Sequence, residues 1–342
     1  MARGIGALGP ITGPPNSPTP SSGSALSSAL SGVEAYDNLV TDTNERLGQY
    51  QILRQSDDTI TVLQAALGNL PKVGRTRLMT EISFLKEDKD IKQLRDHFVD
   101  AVLKPMKAAG ASTPAVTASP SESGTAGVEV QKGLIPPASR SEQSKMKTDC
   151  LSRDDHRCVI TKSVDMKWKR AHRDLYPQGT VVDDTECAHI LPHALGSFDL
   201  DKAQEVENAA IIWAALYRYF PALDGQIAPD TINNDANGIT LSVNLHKYFG
   251  QFNLYFERME QPNTYRLVWQ ENFPISSSAP KVITFTATDP SVLLPNPDFL
   301  QVHGVIARIL RVSGIDRKID DMIEKSKMDD WRIRPDGGTD VI

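Results

Sequence analysis

The sequence predicts an α+β protein, and three observations carry that prediction. Apolar residues recur at three- and four-residue steps, Ile60, Leu63, Leu67 and then Ile91, Leu94, Phe98, Val102, as on one face of a helix. Two later runs, Tyr265–Trp269 and Lys281–Thr286, are rich in β-branched and aromatic residues, as strands are. Between these regions, from about Thr148 to Phe256, varied sequence mixes short strand-like and helical segments.

Composition divides the rest. Residues 1–35 contain seven Ser, six Gly and five Pro, too little apolar surface to offset the entropy of ordering, and are expected to be a disordered tail. Residues 36–107 form a helical arm, with Pro71 and Gly74 marking the bend between its helices. Residues 108–147, rich in Ala, Ser, Thr, Pro and Gly, are expected to be a disordered linker. A folded domain with a strand extension then covers 148–290, and helices with a polar tail cover 291–342, from an amphipathic helix over Asn296–Val312 and a charged one beginning at Asp316. Inside the domain, Val206, Ala210, Trp213 and Tyr217 share one face of a helix between Asp201 and Phe220, which Pro221 ends.

Several function classes are excluded or narrowed by counting. The longest apolar run, Ala209 to Tyr217, has nine residues, about half of a membrane-crossing helix. The N-terminus lacks a continuous apolar core, and three cysteines in 342 residues build no disulfide framework, so an intracellular setting is expected. Net charge is −6, which excludes nucleic-acid binding by bulk charge. A phosphate contact must come from a local patch, and Arg140 to Arg173 offers ten Lys or Arg against five Asp or Glu. Within it, Trp168, Lys169, Arg170 and Arg173 are candidates to touch a nucleic-acid backbone.

Histidines are placed unevenly: five of seven, His156, His172, His189, His193 and His246, fall within 91 residues. His189 sits in Glu186-Cys187-Ala188-His189-Ile190-Leu191-Pro192, an apolar segment suited to a strand that stops at proline. Asn237-Gly238-Ile239-Thr240-Leu241 reads as a turn and a strand. It runs into Ser242-Val243-Asn244-Leu245-His246-Lys247-Tyr248-Phe249, where Ser242 suits a helix N-cap and Leu245 and Phe249 share a face. The cysteines lack the paired spacing of a structural zinc site and read as small buried apolar residues, with Cys158 and Cys187 facing each other from neighbouring strands.

Strand with His, turn with Asn, strand, helix with His is the order of the ββα-metal motif. The chain resembles the HNH endonuclease-domain proteins of filamentous fungi, through Ala188-His189-Ile190-Leu191-Pro192, Asn237 to Leu241 and Leu245-His246 to Phe249, with Arg157-Cys158-Val159-Ile160-Thr161 as a leading strand. That resemblance implies an HNH (ββα-metal) core with an inserted helix and flanking strands, preceded by the arm and the disordered segments. It implies a metal-dependent endonuclease that hydrolyses DNA phosphodiester bonds, with His189 as general base and Asn237 orienting its imidazole. His246 would hold a divalent metal, Mg²⁺ first, with Mn²⁺ or Zn²⁺ as alternatives. Asn233 and Asn234 offer alternative orienting groups; Asn237 is favoured because Asn-Gly directly precedes the strand. Ala188 stands where many such motifs have a ligand and Gly250 where an Asp often follows, so further ligands would come from Glu186, Asp199 or the substrate phosphate. These departures motivate the alternative of a catalytically degenerate HNH scaffold serving as a nucleic-acid or protein interaction module. The arm is a further candidate surface for self-association.

Overall fold

The computed structural model describes residues 22–108, 116–121, 128, 136–269 and 280–330. The expected disorder of 1–21, half of the linker and the end of the C-terminal tail lie outside the described residues.

Helix α1 (Ser22–Gly48) begins inside the stretch expected to be disordered. It leads into α2 (Thr59–Asn69), α3 (Lys72–Phe84) and α4 (Asp88–Phe98). A π-helical turn, Val99–Leu103, continues α4 into a last α turn, Lys104–Lys107. Pro105 has no N–H to give to the preceding turn, which favours the wider π turn just before it. Leu63, Ile91, Leu94, Phe98 and Val102 are all fully buried, as their spacing predicts. Pro71 marks the bend between α2 and α3, but Gly74 does not: it lies inside α3, where a Cβ would sit 1.9 Å from the Tyr219 carbonyl oxygen. Only glycine permits that approach of two helices.

The second half begins with α5 (Arg140–Arg153), which starts within the expected linker. After a parallel two-residue pair, β1 (Val164–Asp165) with β2 (Val182–Asp183), that brackets α6 (Met166–Ala171), come β3 (Thr185–His189) and α7 (Ala203–Tyr219). Then follow β4 (Gly238–Ser242), α8 (Val243–Gly250), β5 (Leu254–Arg258), β6 (Thr264–Trp269) and β7 (Val282–Thr284). The chain closes with α9 (Pro297–Ser313) and α10 (Asp316–Asp330). β3 pairs antiparallel with β4 from Thr185↔Ser242 to His189↔Gly238, and β5-β6-β7 form an antiparallel sheet. Mixed helices and small sheets agree with the α+β class. The expected leading strand at Arg157 to Thr161 is instead a turn. Lys162 turns back with φ 60°, and Val159 N donates to Thr240 O at 2.9 Å, leaning the turn on β4.

The helical arm does not stand apart. Its buried residues join those of α7, α9 and β5 in one continuous core. Phe98 meets Tyr219 edge to face at 5.2 Å, worth about 0.5–1.5 kcal/mol beyond area burial. Buried Glu81 of α3 accepts from Tyr219 Oη at 2.8 Å and pairs with Arg218 at 2.7 Å, so α3 and α7 are joined by charge as well as by packing. Lys107, at the arm's end, pairs with Asp316 and Asp320 of α10. The arm's apolar face is therefore covered from within the chain. Part of the linker docks too: Thr117 O lies 2.7 Å from His97 Nδ1, and the Thr117 hydroxyl donates to Asp100 at 2.6 Å. Among the described residues no helix is long and apolar enough to cross a membrane.

Arg153, wholly buried at the end of α5, uses its five N–H donors on Asp154 (twice, 2.8 Å), Asp235 O (3.0 Å), Leu293 O (2.8 Å) and Gly238 O (2.9 Å). Replacing Arg153 by Ala strands Asp154 and three carbonyls. Urea unfolding of Arg153→Ala is expected to show a loss of about 3–5 kcal/mol, the usual cost of removing one partner of a buried pair.

Candidate functional site

The site is built on β3, β4 and α8. Asn237 is fully buried in the turn before β4. Its Oδ1 accepts from Leu191 N at 2.8 Å, and its Nδ2 donates to Leu191 O and Ile232 O, each at 2.9 Å. With Ile190 N donating to Asn237 O at 2.8 Å, the segment that follows His189 is clamped to the turn that leads into β4. Asn237 thus sets the backbone on which His189 sits and does not touch the imidazole.

The direct imidazole partner is Asn233. His189 Nε2 lies 2.9 Å and His193 Nδ1 3.1 Å from the same Asn233 Oδ1. The amide cannot be turned round, because its Nδ2 must donate to Ser139 O at 2.9 Å. An amide oxygen only accepts, so both imidazoles donate to it. His189 then carries its proton on Nε2 and its lone pair on Nδ1. Burial pushes its pKa down to about 4, the Asn233 bond opposes this, and the neighbouring His193 and His246 lower it further. At neutral pH His189 is an uncharged base.

His246 projects from the first turn of α8. Its Nδ1 lies 2.6 Å from Glu186 Oε2 on β3, so the carboxylate takes the Nδ1–H bond and leaves the Nε2 lone pair for another partner. Both side chains stay partly open, 36% for His246 and 47% for Glu186. β3 thus carries His189 and, through Glu186, also meets His246 of α8. Asp199 is spent elsewhere, on the turn before α7 with Lys202 at 3.8 Å. Among the described residues no three His, Cys, Asp or Glu side chains converge as a metal cage. This donor set does not fit a structural zinc, which takes four protein ligands. A divalent cation at His246 Nε2 would need its remaining ligands from water or phosphate oxygens.

His193 is not singled out by the sequence, although His-x₃-His is visible there. Pro192 excludes the helix that this spacing suggests, and a 3₁₀ turn, His193–Gly196, returns the second ring toward the first at a centroid distance of 5.4 Å. The cysteines also pair differently from expectation: Cys187 meets Cys150 of α5, since a Cβ on Gly238 would lie 2.6 Å from Cys150 Sγ and 3.0 Å from Cys187 Sγ. Gly238 is needed for that approach, and the Cys187 contact together with burial raises the Cys150 pKa. Trp168 is stacked between His156 (3.4 Å) and His172 (3.7 Å), so both faces of its ring are taken. Lys169 bends back to Thr180 O at 3.0 Å, while Arg170 and Arg173 remain exposed.

Residues 158–257 match the HNH endonuclease family model. This HNH segment contains His189, His193, Asn233, Asn237, Glu186 and His246, and α9 and the arm lie outside it. No curated protein and no solved structure matches the chain.

His97, His189 and His303 are all held neutral mainly by burial, with His189 at about 4 and His303 at about 3. In the unfolded chain they protonate near pH 6.5, so between that pH and the folded values the unfolded state binds more protons. Stability is expected to be full above pH 6.5 and to fall as pH drops toward 4. Chemical denaturation at pH 7 and pH 5 should show this. His303 stacks on Phe249 and Phe252, so His303→Phe, which keeps an aromatic ring there, should narrow the difference.

Proposed function

We propose that the HNH segment hydrolyses nucleic-acid phosphodiester bonds, DNA first, with His189 as general base and a divalent cation, Mg²⁺ first, at His246. The observation that carries this reading is the neutral His189, its Nε2–H committed to Asn233 and its Nδ1 lone pair left for a proton. A water bonded to Nδ1 would yield its proton as its oxygen bonds to phosphorus and the P–O3′ bond breaks. Asn233 fixes which nitrogen is the base, and Asn237 fixes the backbone beneath it. His246 would face the cation through Nε2, with Glu186 holding the ring. When bound, the cation neutralises the nonbridging oxygen and the leaving oxygen.

Ala188, beside the proposed base, supports a second reading, an HNH scaffold that binds without cutting. Incubation of the purified protein with supercoiled plasmid and Mg²⁺ or Mn²⁺ separates the two. His189→Ala is expected to lower nicking by roughly 10²–10⁴-fold, the usual range for a general base. Asn233→Ala is expected to lower it less and to shift the acid limb of the pH–rate profile. Equal nicking by the wild type and His189→Ala removes the base assignment. His246→Ala is expected to weaken Mn²⁺ binding measured by calorimetry, independently of cleavage.

A further inference from the structure

A chain with net charge −6 that grips a polyanion needs cations gathered locally. The fold gathers them at a second place that the sequence does not reveal. Arg258 at the end of β5, Arg266 in β6 and Arg308 in α9 line a groove of about 470 Å³ between the β5-β6-β7 sheet and α9.

Among the described residues lining this groove the one carboxylate is Glu257, and it is shared. Its Oε2 meets Arg266 Nε at 3.1 Å and Nη2 at 3.0 Å, and its Oε1 lies 3.6 Å from Arg308 Nη1. Three guanidiniums against one carboxylate leave a net local charge of +2. Arg308 is also set by its neighbours. Its guanidinium lies 5.6 Å over the Tyr255 ring. Arg266 is 66% exposed and Arg308 32%, so their remaining N–H groups reach solvent.

The groove is mechanically joined to the site. α9 carries Arg308, and its His303 stacks on Phe249 of α8 at 3.9 Å, the helix that presents His246. β5 begins four residues after α8 ends. Planar, always charged forks in a groove suit phosphate oxygens, with no base edge being read. We propose that this groove binds the phosphodiester backbone of the substrate nucleic acid. The assignment rests on the nuclease reading and extends it to a surface built largely beyond the HNH segment.

The test is anisotropy of a short labelled duplex with the full chain, in EDTA so that no strand is cut, across a salt series. Arg258 and Arg266 are exposed strand residues whose joint replacement by Ala should leave folding intact, as circular dichroism will verify. R258A/R266A is expected to weaken binding several-fold at low salt and to lower the slope of log Kd against log salt by about two, one for each phosphate that is no longer neutralised. Glu257→Gln, which frees two guanidiniums, is expected to tighten binding. An unchanged affinity and slope in the double variant, beside a wild type that binds, overturns the groove assignment alone. A wild type that does not retain the duplex at low salt overturns the nucleic-acid reading together with it. Inorganic phosphate at constant ionic strength forms the third arm: a thermal shift seen in the wild type and abolished in the double variant, without any change in duplex affinity, makes this a small-anion site and overturns the backbone assignment.

Discussion

The architecture turns on one buried guanidinium. Arg153 ends α5 and holds, in one plane, the acid next to it, the turn before β4, the first residue of β4 and the loop before α9. Asp154, neutralised by that pair, in turn accepts from Thr240 N at 3.0 Å. A charge with no access to water must find all its hydrogen bonds inside the protein, so these four segments have one relative arrangement that satisfies it. The turn from Asn233 to Asn237 contains one of the points so fixed, Asp235, and abuts another, Gly238. The geometry around His189 therefore inherits its precision from a residue that takes no part in chemistry.

On that frame, two asparagines divide a single task. Asn237 acts on backbone, closing the chain after His189 against the turn before β4, and Asn233 acts on the ring. Burial removes the charge from His189 and the amide oxygen selects its tautomer, so the ring is a neutral acceptor at Nδ1, as the proposed role requires. The second imidazole is more open and its Nδ1 is held by Glu186, which leaves Nε2 for the cation proposed there. One deep neutral ring and one open ring oriented by a carboxylate give two identical side-chain types different chemistry through environment alone.

The helical first half supports this arrangement from behind. α7, inserted between β3 and β4, packs Trp213, Tyr219 and Phe220 into the same core as α3 and α4, and Trp213 Nε1 donates to Leu195 O at 2.8 Å in the turn that carries His193. The long separation between the two strands of the motif is thus occupied by a helix that bonds the arm on one side and the site's own turn on the other.

Much of this was legible in the sequence, wherever local spacing decides the outcome. The helical faces of α2, α4, α7 and α9, the strands β6 and β7, the order of strand, turn, strand and helix, and the placement of His189 on the strand and His246 on the helix all follow from periodicity, turn residues and short motifs, because neighbours along a chain meet at fixed intervals. The tertiary structure alone decided the rest. Asn233 reaches His189 across 44 positions and Ser139 across 94, and Glu186 reaches His246 across 60. The meeting of Cys187 with Cys150 in place of Cys158, the merging of the arm into the common core, and the meeting of Arg258, Arg266 and Arg308 are of the same kind. Such contacts depend on how whole elements pack and on which buried polar groups must be satisfied together, and no interval along the chain encodes that.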